Sequence, residues 1–332
     1  MGDNHADKVL RVAMVGCGNH AKHHFRSIEA LKPSIKLVAT IDVHPERARM
    51  AAEKYGAERW STDYEKELAA GDIDAVILSL PHHLHAPYTV AACEAGVHVL
   101  CEKPMARNID EGRKMKEAAD QAGVCLMIAF NQRFDASALV AKEMLAAGEI
   151  GPLHHLSMDY MVHVIEPSTT WRRSVEETGG FMLPLIGSHG IDLMLYLSDT
   201  QPRRVYCEMA HFSSNWEGED EVAIVMALAD QCGVEIPATV RVSAHCRQKR
   251  TVLTIAGAEH TLAIERNQLL MDGKEIALPE LPGDCFYRQM EYFRDAALGR
   301  KPAISAGDDA LRTLTVIDSA FRSVKEQQPV RL

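Results

Sequence analysis

The stretch VLRVAMVGCGNHA, residues 9–21, limits what this chain can fold into more than any other. A short β-branched run ends at Val15, and Gly16, Gly18 and Ala21 follow in a G-x-G-x-x-A spacing that opens a helical pattern. Gly16 permits a tight turn, Gly18 lets a pyrophosphate approach the backbone, and Ala21 lets helix and strand pack closely. The helix start then offers N–H groups and the positive end of its dipole to a phosphate. Such a spacing is weak by itself. Its strand–turn–helix setting strengthens it, as does Asp42, which closes the next apolar run at about the required distance. A carboxylate there accepts the ribose hydroxyls of NAD and repels the 2′-phosphate of NADP, although Arg47 could soften that choice. NAD is the expected cofactor, with NADP the lesser alternative.

The pattern around that loop repeats. VLRVAMVG (9–16), KLVATID (36–42), DAVILSL (74–80), VHVLCE (97–102) and VCLMIAF (124–130) are short, continuous apolar runs. Strands buried on both faces of a parallel sheet read this way. Helical stretches at 46–56, 85–96 and 110–123 lie between them, the last two ending in glycine. This βαβ repetition predicts an α/β fold, with a doubly wound parallel sheet over residues 1–130. After that the period changes. A helix near 135–147 precedes amphipathic runs at 153–162, 204–212, 221–228, 238–244 and 250–257. An Asp272-Gly273 hairpin turn and helices near 285–298 and 307–325 follow. Residues 131–332 are therefore expected to form a second domain, its sheet covered on one face and open or self-associating on the other.

Composition narrows the function classes. A length of 332 residues suits two domains, and 47% hydrophobic with 25% charged residues marks a well-packed globular chain. A net charge of −10 argues against a nucleic-acid partner, since phosphate binding needs a basic surface. We find no apolar run long enough to span a bilayer. The opening MGDNHADKVLRVAM carries acids where a signal peptide carries basic residues, and it lacks the Ser or Thr of a myristoylation signal. The expectation is a cytoplasmic protein without a membrane partner. Eight scattered cysteines, none at CxxC spacing, read as buried free thiols. Sixteen histidines include no HExxH and no Cys/His pairing at ligand spacing, so no metal is expected. The pairs at 23–24 and 154–155 and the HLH at 83–85 read as polar surface or supporting groups.

The stretch GVHVLCEKPMA (96–106), preceded by SLPHHLHAPYTVAACEAG (79–96), closely resembles the glucose-fructose oxidoreductase / inositol dehydrogenase / MocA family. The family's strand–EKP motif stands here as Glu102, Lys103 and Pro104, and its P-x-x-x-H step as Pro81 and His85. The resemblance continues through FNQRF (130–134), TTWRR (169–173), the Gly179-Gly180 pair with His189 and Asp192, GEDEVAIV (218–225) and GDDALRTLTVIDSAFRS (307–323). It implies a Rossmann domain followed by an α/β domain with a large, open, mostly antiparallel sheet that mediates homo-dimers or homo-tetramers. The implied activity is oxidation of a ring hydroxyl on a small sugar, cyclitol or derivative, or the reverse reduction. The resemblance further implies a cofactor site of Gly16, Gly18, Asn19, His20, Ala21, Asp42, Leu80, Pro81, His85, Glu102 and Lys103. Lys103 and His189 become the catalytic pair. Arg133, Tyr160, Trp171, Arg172 and His189 become substrate contacts, with Asp159 a further candidate.

Lys103 supports that assignment from its own position. It ends a buried strand at the carboxyl edge of a parallel sheet, where such folds bind ligands. Partly desolvated beside a cationic nicotinamide, its pKa falls, so it can join in proton transfer or bind the hydroxyl oxygen. A surface lysine paired with Glu102 is the plainer alternative, and Pro104 constrains the turn, a cis bond being one way. In LPLIGSHGID (183–192), Ser188 stands in N-cap position and His189 follows at the start of a buried helix. Family members with this histidine often carry Asp four residues earlier, where this chain has Leu185. Without that carboxylate the imidazole loses a partner that fixes its tautomer. Three readings of His189 stay open: proton acid/base, donor to a substrate hydroxyl, or structural residue. Trp171 offers a flat face to a sugar's C–H surface, Arg172 suits hydroxyls or anions, and Phe181, Met182 and Leu185 make that edge apolar. Two other functions also remain: a tightly held cofactor whose transient oxidation drives glycoside cleavage or epimerisation, and a non-catalytic NAD-binding regulator.

Overall fold

The computed structural model describes residues 8–332; the reading of the opening MGDNHA lies outside them. By internal contacts the chain divides into two compact units. Of the described residues, the first holds those up to 105 with 110–131 and 282–308, and the second holds 106–109, 132–281 and 309–332. Residues 282–308 thus group with the first unit and residues 106–109 with the second.

The first unit is built on six strands: β1 (Leu10–Val15), β2 (Ile35–Ile41), β3 (Arg59–Ser61), β4 (Ala75–Leu78), β5 (His98–Cys101) and β6 (Leu126–Ile128). Their order is β3-β2-β1-β4-β5-β6, and every neighbouring pair is parallel. Helices α1 (Ala21–Ala30), α2 (Pro45–Tyr55), α3 (Tyr64–Ala69), α4 (His82–Glu94) and α5 (Ile109–Ala122) make the connections. The apolar runs form strands because both faces are covered: Val12, Ala13 and Met14 of β1 and Val76, Ile77 and Leu78 of β4 are fully buried. Each large side chain so buried contributes about 1.5–3 kcal/mol. The helices stop where the sequence says. Gly56 ends α2 in the left-handed conformation, φ +72°, and Gly96 and Gly123 follow α4 and α5 with φ +73° and +66°. The strand order reverses between β1 and β4, and ligands of such sheets bind beyond the carboxyl ends at that point.

The second unit opens with α6 (Ala136–Ala146), β7 (Leu153–His163), a short α7 (Val175–Thr178) and α8 (Ser188–Ser198). Strands β8 (Gln201–Ala210), β9 (Glu221–Ala229), β10 (Glu235–Ser243), β11 (His245–Gly257), β12 (Thr261–Glu265), β13 (Gln268–Met271) and β14 (Lys274–Ile276) follow. Helix α9 (Cys285–Ala297) lies in the returning segment of the first unit, before α10 (Gly307–Glu326) and β15 (Val330–Arg331). The nine-stranded sheet runs β14-β13-β12-β11-β7-β10-β9-β8-β15, antiparallel except for β7 with β10. Its period of two follows from one-sided burial. Val222, Ile224, Met226 and Leu228 of β9 join the core, whereas Glu221, Ala223 and Val225 alternate with them outward, Val225 being 56% exposed. Asp272 and Gly273 at φ +51° and +76° make the two-residue turn between β13 and β14. Among the described residues one stretch, Val175–Ser198, is long and apolar enough to cross a membrane; 83% of its most apolar window is buried in the protein, as in a core helix. All eight cysteines are free thiols, three of them buried.

Candidate active site

In the first unit the glycine loop is fixed by a close backbone approach. Gly16 has φ +86°, and a Cβ there would sit 2.2 Å from the carbonyl oxygen of Ser79, so any side chain is excluded twice over. That contact ties the loop after β1 to the loop after β4, which runs on through Leu80 to Pro81 at the start of α4. A Cβ at Gly18 would meet nothing within 4 Å, which leaves the backbone clear for a phosphate, and Ala21 is fully buried at the start of α1. Asn19 accepts from Lys22 Nζ at 2.9 Å. Asp42 is 8% exposed; its Oδ2 accepts the Cys17 N–H at 2.8 Å and its Oδ1 the His44 N–H at 2.9 Å. One lone pair on each oxygen thus holds the loop, and the others remain for ribose hydroxyls. These residues fit a dinucleotide.

Glu102, just beyond β5, is buried. Its Oε1 accepts from His20 Nε2 at 2.9 Å and His24 Nε2 at 2.7 Å, and its Oε2 from the Lys103 N–H at 3.2 Å. Burial would raise this carboxyl, but the two imidazoles outweigh it and hold it well below the usual range. His24, expected to be a surface or supporting group, is a buried partner of the motif glutamate. By donor type these two histidines and the glutamate could also hold a metal, their ligand atoms lying within 4.8 Å of one another. The carboxylate, however, is already met by three N–H groups. Lys103 is half-buried and joined to Pro104 by a cis peptide bond.

His85 takes a different place from the one expected of a nucleotide contact. It is fully buried, Nδ1 2.9 Å from the Pro104 carbonyl oxygen and Nε2 3.0 Å from that of Leu80. Burial lowers its pKa. It is a strut between the loops that follow β4 and β5.

In the second unit His189 does not stand at a helix start. A π-helical turn, Leu183–Gly187, runs directly into α8, and Ser188 is inside the helical path with its hydroxyl donating back to the Pro184 carbonyl at 2.7 Å. Ser188 is no cap. The cap comes from Glu219, whose buried carboxylate accepts the N–H of Phe181 at 3.0 Å and of Leu183 at 2.8 Å. Burial pushes this carboxyl up to about 7 against the pull of those N–H groups. Gly218 allows the approach, since a Cβ there would fall 2.6 Å from the Phe181 nitrogen. The π turn closes one residue wider than an α turn. Leu185 is 7% exposed and lies in the core.

Arg133, expected as a substrate contact, is engaged by two carboxylates. Its side chain is 1% exposed, forked onto Asp192 at 2.8 and 2.6 Å and bound to Asp309 at 3.0 Å, with its guanidinium 4.6 Å from the Tyr196 ring. The two carboxylates hold its proton against the cost of burial. Tyr160, half-buried on β7, accepts from Gln132 Nε2 at 3.4 Å. Trp171 and Arg172 share a single 3₁₀ turn; the guanidinium lies 5.3 Å from the indole and donates to Ser168 Oγ at 2.7 Å. Asp159 is engaged across the sheet by Arg241, two bonds of 2.7 Å. Sequence reasoning named His24 only as one of a polar pair, and it missed the capping role of Glu219. The Gly218–Glu221 run, glycine and acids opening an apolar strand, was the available signal for the second.

Known proteins place this geometry. Residues 10–130 match the model of an oxidoreductase family with an NAD-binding Rossmann fold, and residues 138–263 match that of the GFO/IDH/MocA C-terminal domain. Levoglucosan dehydrogenase of Pseudarthrobacter phenanthrenivorans is 32% identical over 57% of this chain and 51% of its own length. Myo-inositol 2-dehydrogenase of Thermotoga maritima is 23% identical over 97% of this chain and 98% of its own. The first of these matches, like others of comparable identity, spans about half the length of the relative. An aldose-aldose oxidoreductase from Caulobacter crescentus, crystallised with glycerol, superimposes with a TM-score of 0.88 at 26% identity, covering 98% of this chain and 100% of that one.

Proposed function

This chain belongs to the GFO/IDH/MocA oxidoreductase family, and on that premise we propose that it is an NAD-dependent dehydrogenase of a sugar, cyclitol or sugar derivative. It oxidises a ring hydroxyl or reduces the corresponding ketone. One observation carries the reading. The Gly16–Ser79 contact and the Asp42 anchor hold a dinucleotide loop at the switch point of the sheet, and the buried Glu102 places Lys103 on the same edge. Bound there, the nicotinamide supplies the hydride acceptor. Lys103 binds the hydroxyl oxygen and eases its deprotonation, and His189 takes or returns the proton; a positioned acid/base is worth on the order of 10²–10⁴-fold. Asp42 favours NAD over NADP. Relatives named for levoglucosan, inositol and glucoside oxidation support a polyol ring as substrate. We assign the protein to the cytoplasm as a homo-dimer or homo-tetramer, for which the outward face of the nine-stranded sheet, with Val225 exposed, is the natural surface. The test is a panel of sugars and cyclitols with NAD and with NADP, followed by NADH absorbance. Reduction with NAD on at least one neutral polyol is expected. Its absence across the panel refutes the reading.

A further inference from the structure

Three metal-ligating side chains converge on one point inside the first unit. His20 and His24 stand four residues apart at the start of α1, so both rings lie on one face of the helix. Glu102, just beyond β5, meets that face. Its Oε1 lies 2.9 Å from His20 Nε2 and 2.7 Å from His24 Nε2, and the three donor atoms fall within 4.8 Å of one another. Two imidazoles and a carboxylate are the donor set of three-ligand zinc sites that keep a fourth position open. Local spacing in the chain shows no such pattern, because the carboxylate comes from 78 residues beyond His24.

Geometry, charge and surroundings all suit an ion here. Tetrahedral zinc with bonds of about 2.0–2.1 Å holds its ligand atoms about 3.3 Å apart, so Oε1 and the two imidazoles need to part by only about half an ångström. The His20 side chain, 42% exposed, has room for that shift, whereas His24 and Glu102, at 1% and 8%, are held in place. Neutral imidazoles give a buried carboxylate hydrogen bonds but no countercharge, and a divalent ion supplies the charge. Phe286 walls the cluster: its ring stands edge-on to His20 and His24 at 5.8 and 5.9 Å and stacks on His23 at 4.4 Å. An apolar wall of that kind orients ligand rings and limits the water around a metal.

We propose that His20, His24 and Glu102 form a binding site for a divalent cation of the zinc class, which imidazole and carboxylate together suit better than magnesium or calcium. The ion takes the place of the two hydrogen bonds now made to Oε1. Each neutral imidazole ligates through Nε2 and carries its proton on Nδ1. His24 Nδ1 is already buried without a hydrogen-bond partner among the described residues, so the exchange trades one unmet atom for another. The ion pins the start of α1 to the end of β5 and, by binding the folded chain alone, stabilises it by mass action. The site stands independently of the dehydrogenase reading, and no step of that chemistry passes through it.

The test uses the full chain, stripped with EDTA and titrated with Zn²⁺ against a chromogenic indicator. One tightly held ion per chain is expected. X-ray absorption should show a nitrogen and oxygen shell at about 2.0–2.2 Å and no sulfur at about 2.3 Å. His20→Gln, at an exposed position where folding is not at stake, weakens the site about tenfold or more and abolishes the rise in Tm that zinc gives wild type. His23→Gln, one position from the ligand face, leaves affinity within about twofold. No stoichiometric zinc in wild type, sulfur in the shell, or unchanged affinity in His20→Gln overturns the proposal. Equal losses in His20→Gln and His23→Gln also overturn it, since they would mark a chelate of surface histidines without Glu102.

Discussion

Replacing Arg133 with methionine keeps most of the side chain's volume and removes its charge. Asp192, whose side chain is 2% exposed, then loses both forked hydrogen bonds and keeps only Thr313 Oγ1 at 3.3 Å. Asp309 retains Arg312 at 2.5 Å and is 30% exposed, so the penalty falls on Asp192. Breaking a buried pair by removing one partner costs about 3–5 kcal/mol, because a charge is left without compensation in a poor solvent for it. For a unit of this size each kcal/mol lowers Tm by about 2–4 °C, so a fall of roughly 6–20 °C is expected. Calorimetry of wild type, R133M, D192N and the double variant closes a cycle in which the double variant recovers about 1–3 kcal/mol of the summed loss. KM for the polyol, measured on folded R133M at low temperature, stays within a fewfold of wild type. An R133M protein that melts like wild type but shows a greatly raised KM would refute the buried-pair reading and return Arg133 to the substrate.

Lys103→Ala should lower kcat by at least about a hundredfold while NAD affinity, read by fluorescence titration, changes little; near-normal turnover removes the lysine from the chemistry. Asp42→Ala should erode the preference for NAD over NADP in kcat/KM, since the group that repels a 2′-phosphate is gone; an unchanged ratio would place discrimination elsewhere. Glu219 gives a pH dependence whose sign follows from its raised carboxyl. The folded state holds the proton more tightly, so this contribution is fully present below 4.5, the ordinary value, and is lost as pH rises through about 7. That loss is worth about 3 kcal/mol and should appear as a narrowing stability gap between wild type and Glu219→Gln from low to high pH, measured by urea titration. A gap that widens instead would mean the N–H groups of Phe181 and Leu183 dominate over burial.

What could be read from the sequence was whatever depends on neighbours in the chain. Gly16 announces its turn because the steric demand is its own, and the apolar runs announce strands because burial on both faces leaves no room for alternation. β3 went unseen: Arg59–Ser61 is short, and none of its three residues is buried, so it carries no hydrophobic signal. Arg133 read as a pocket residue because its partners lie 59 and 176 positions away, and an arginine's spacing says nothing of what it meets. Ser188 looked like a cap by local rule, while the working cap, Glu219, is supplied 36–38 residues later by the approach to another strand. His85 matched a motif step, but only three-dimensional packing reveals that both its ring nitrogens are turned to backbone carbonyls.

The return of residues 282–308 to the first unit bears on how this protein is made. Helix α9 packs on α1, with Phe286 stacked on His23 at 4.4 Å and Arg294 reaching Ser34 at 3.0 Å. A ribosome finishes β6 long before it reaches that segment; at 5–20 residues per second the wait is roughly 8–30 s. Throughout it the nascent nucleotide-binding sheet has α1 without its cover, and residues 132–281 of the second unit are synthesised inside that interval. A gene fragment ending near residue 130 would stop at the same half-dressed stage, so the Rossmann half is poorly suited to expression on its own unless residues 282–308 are supplied with it.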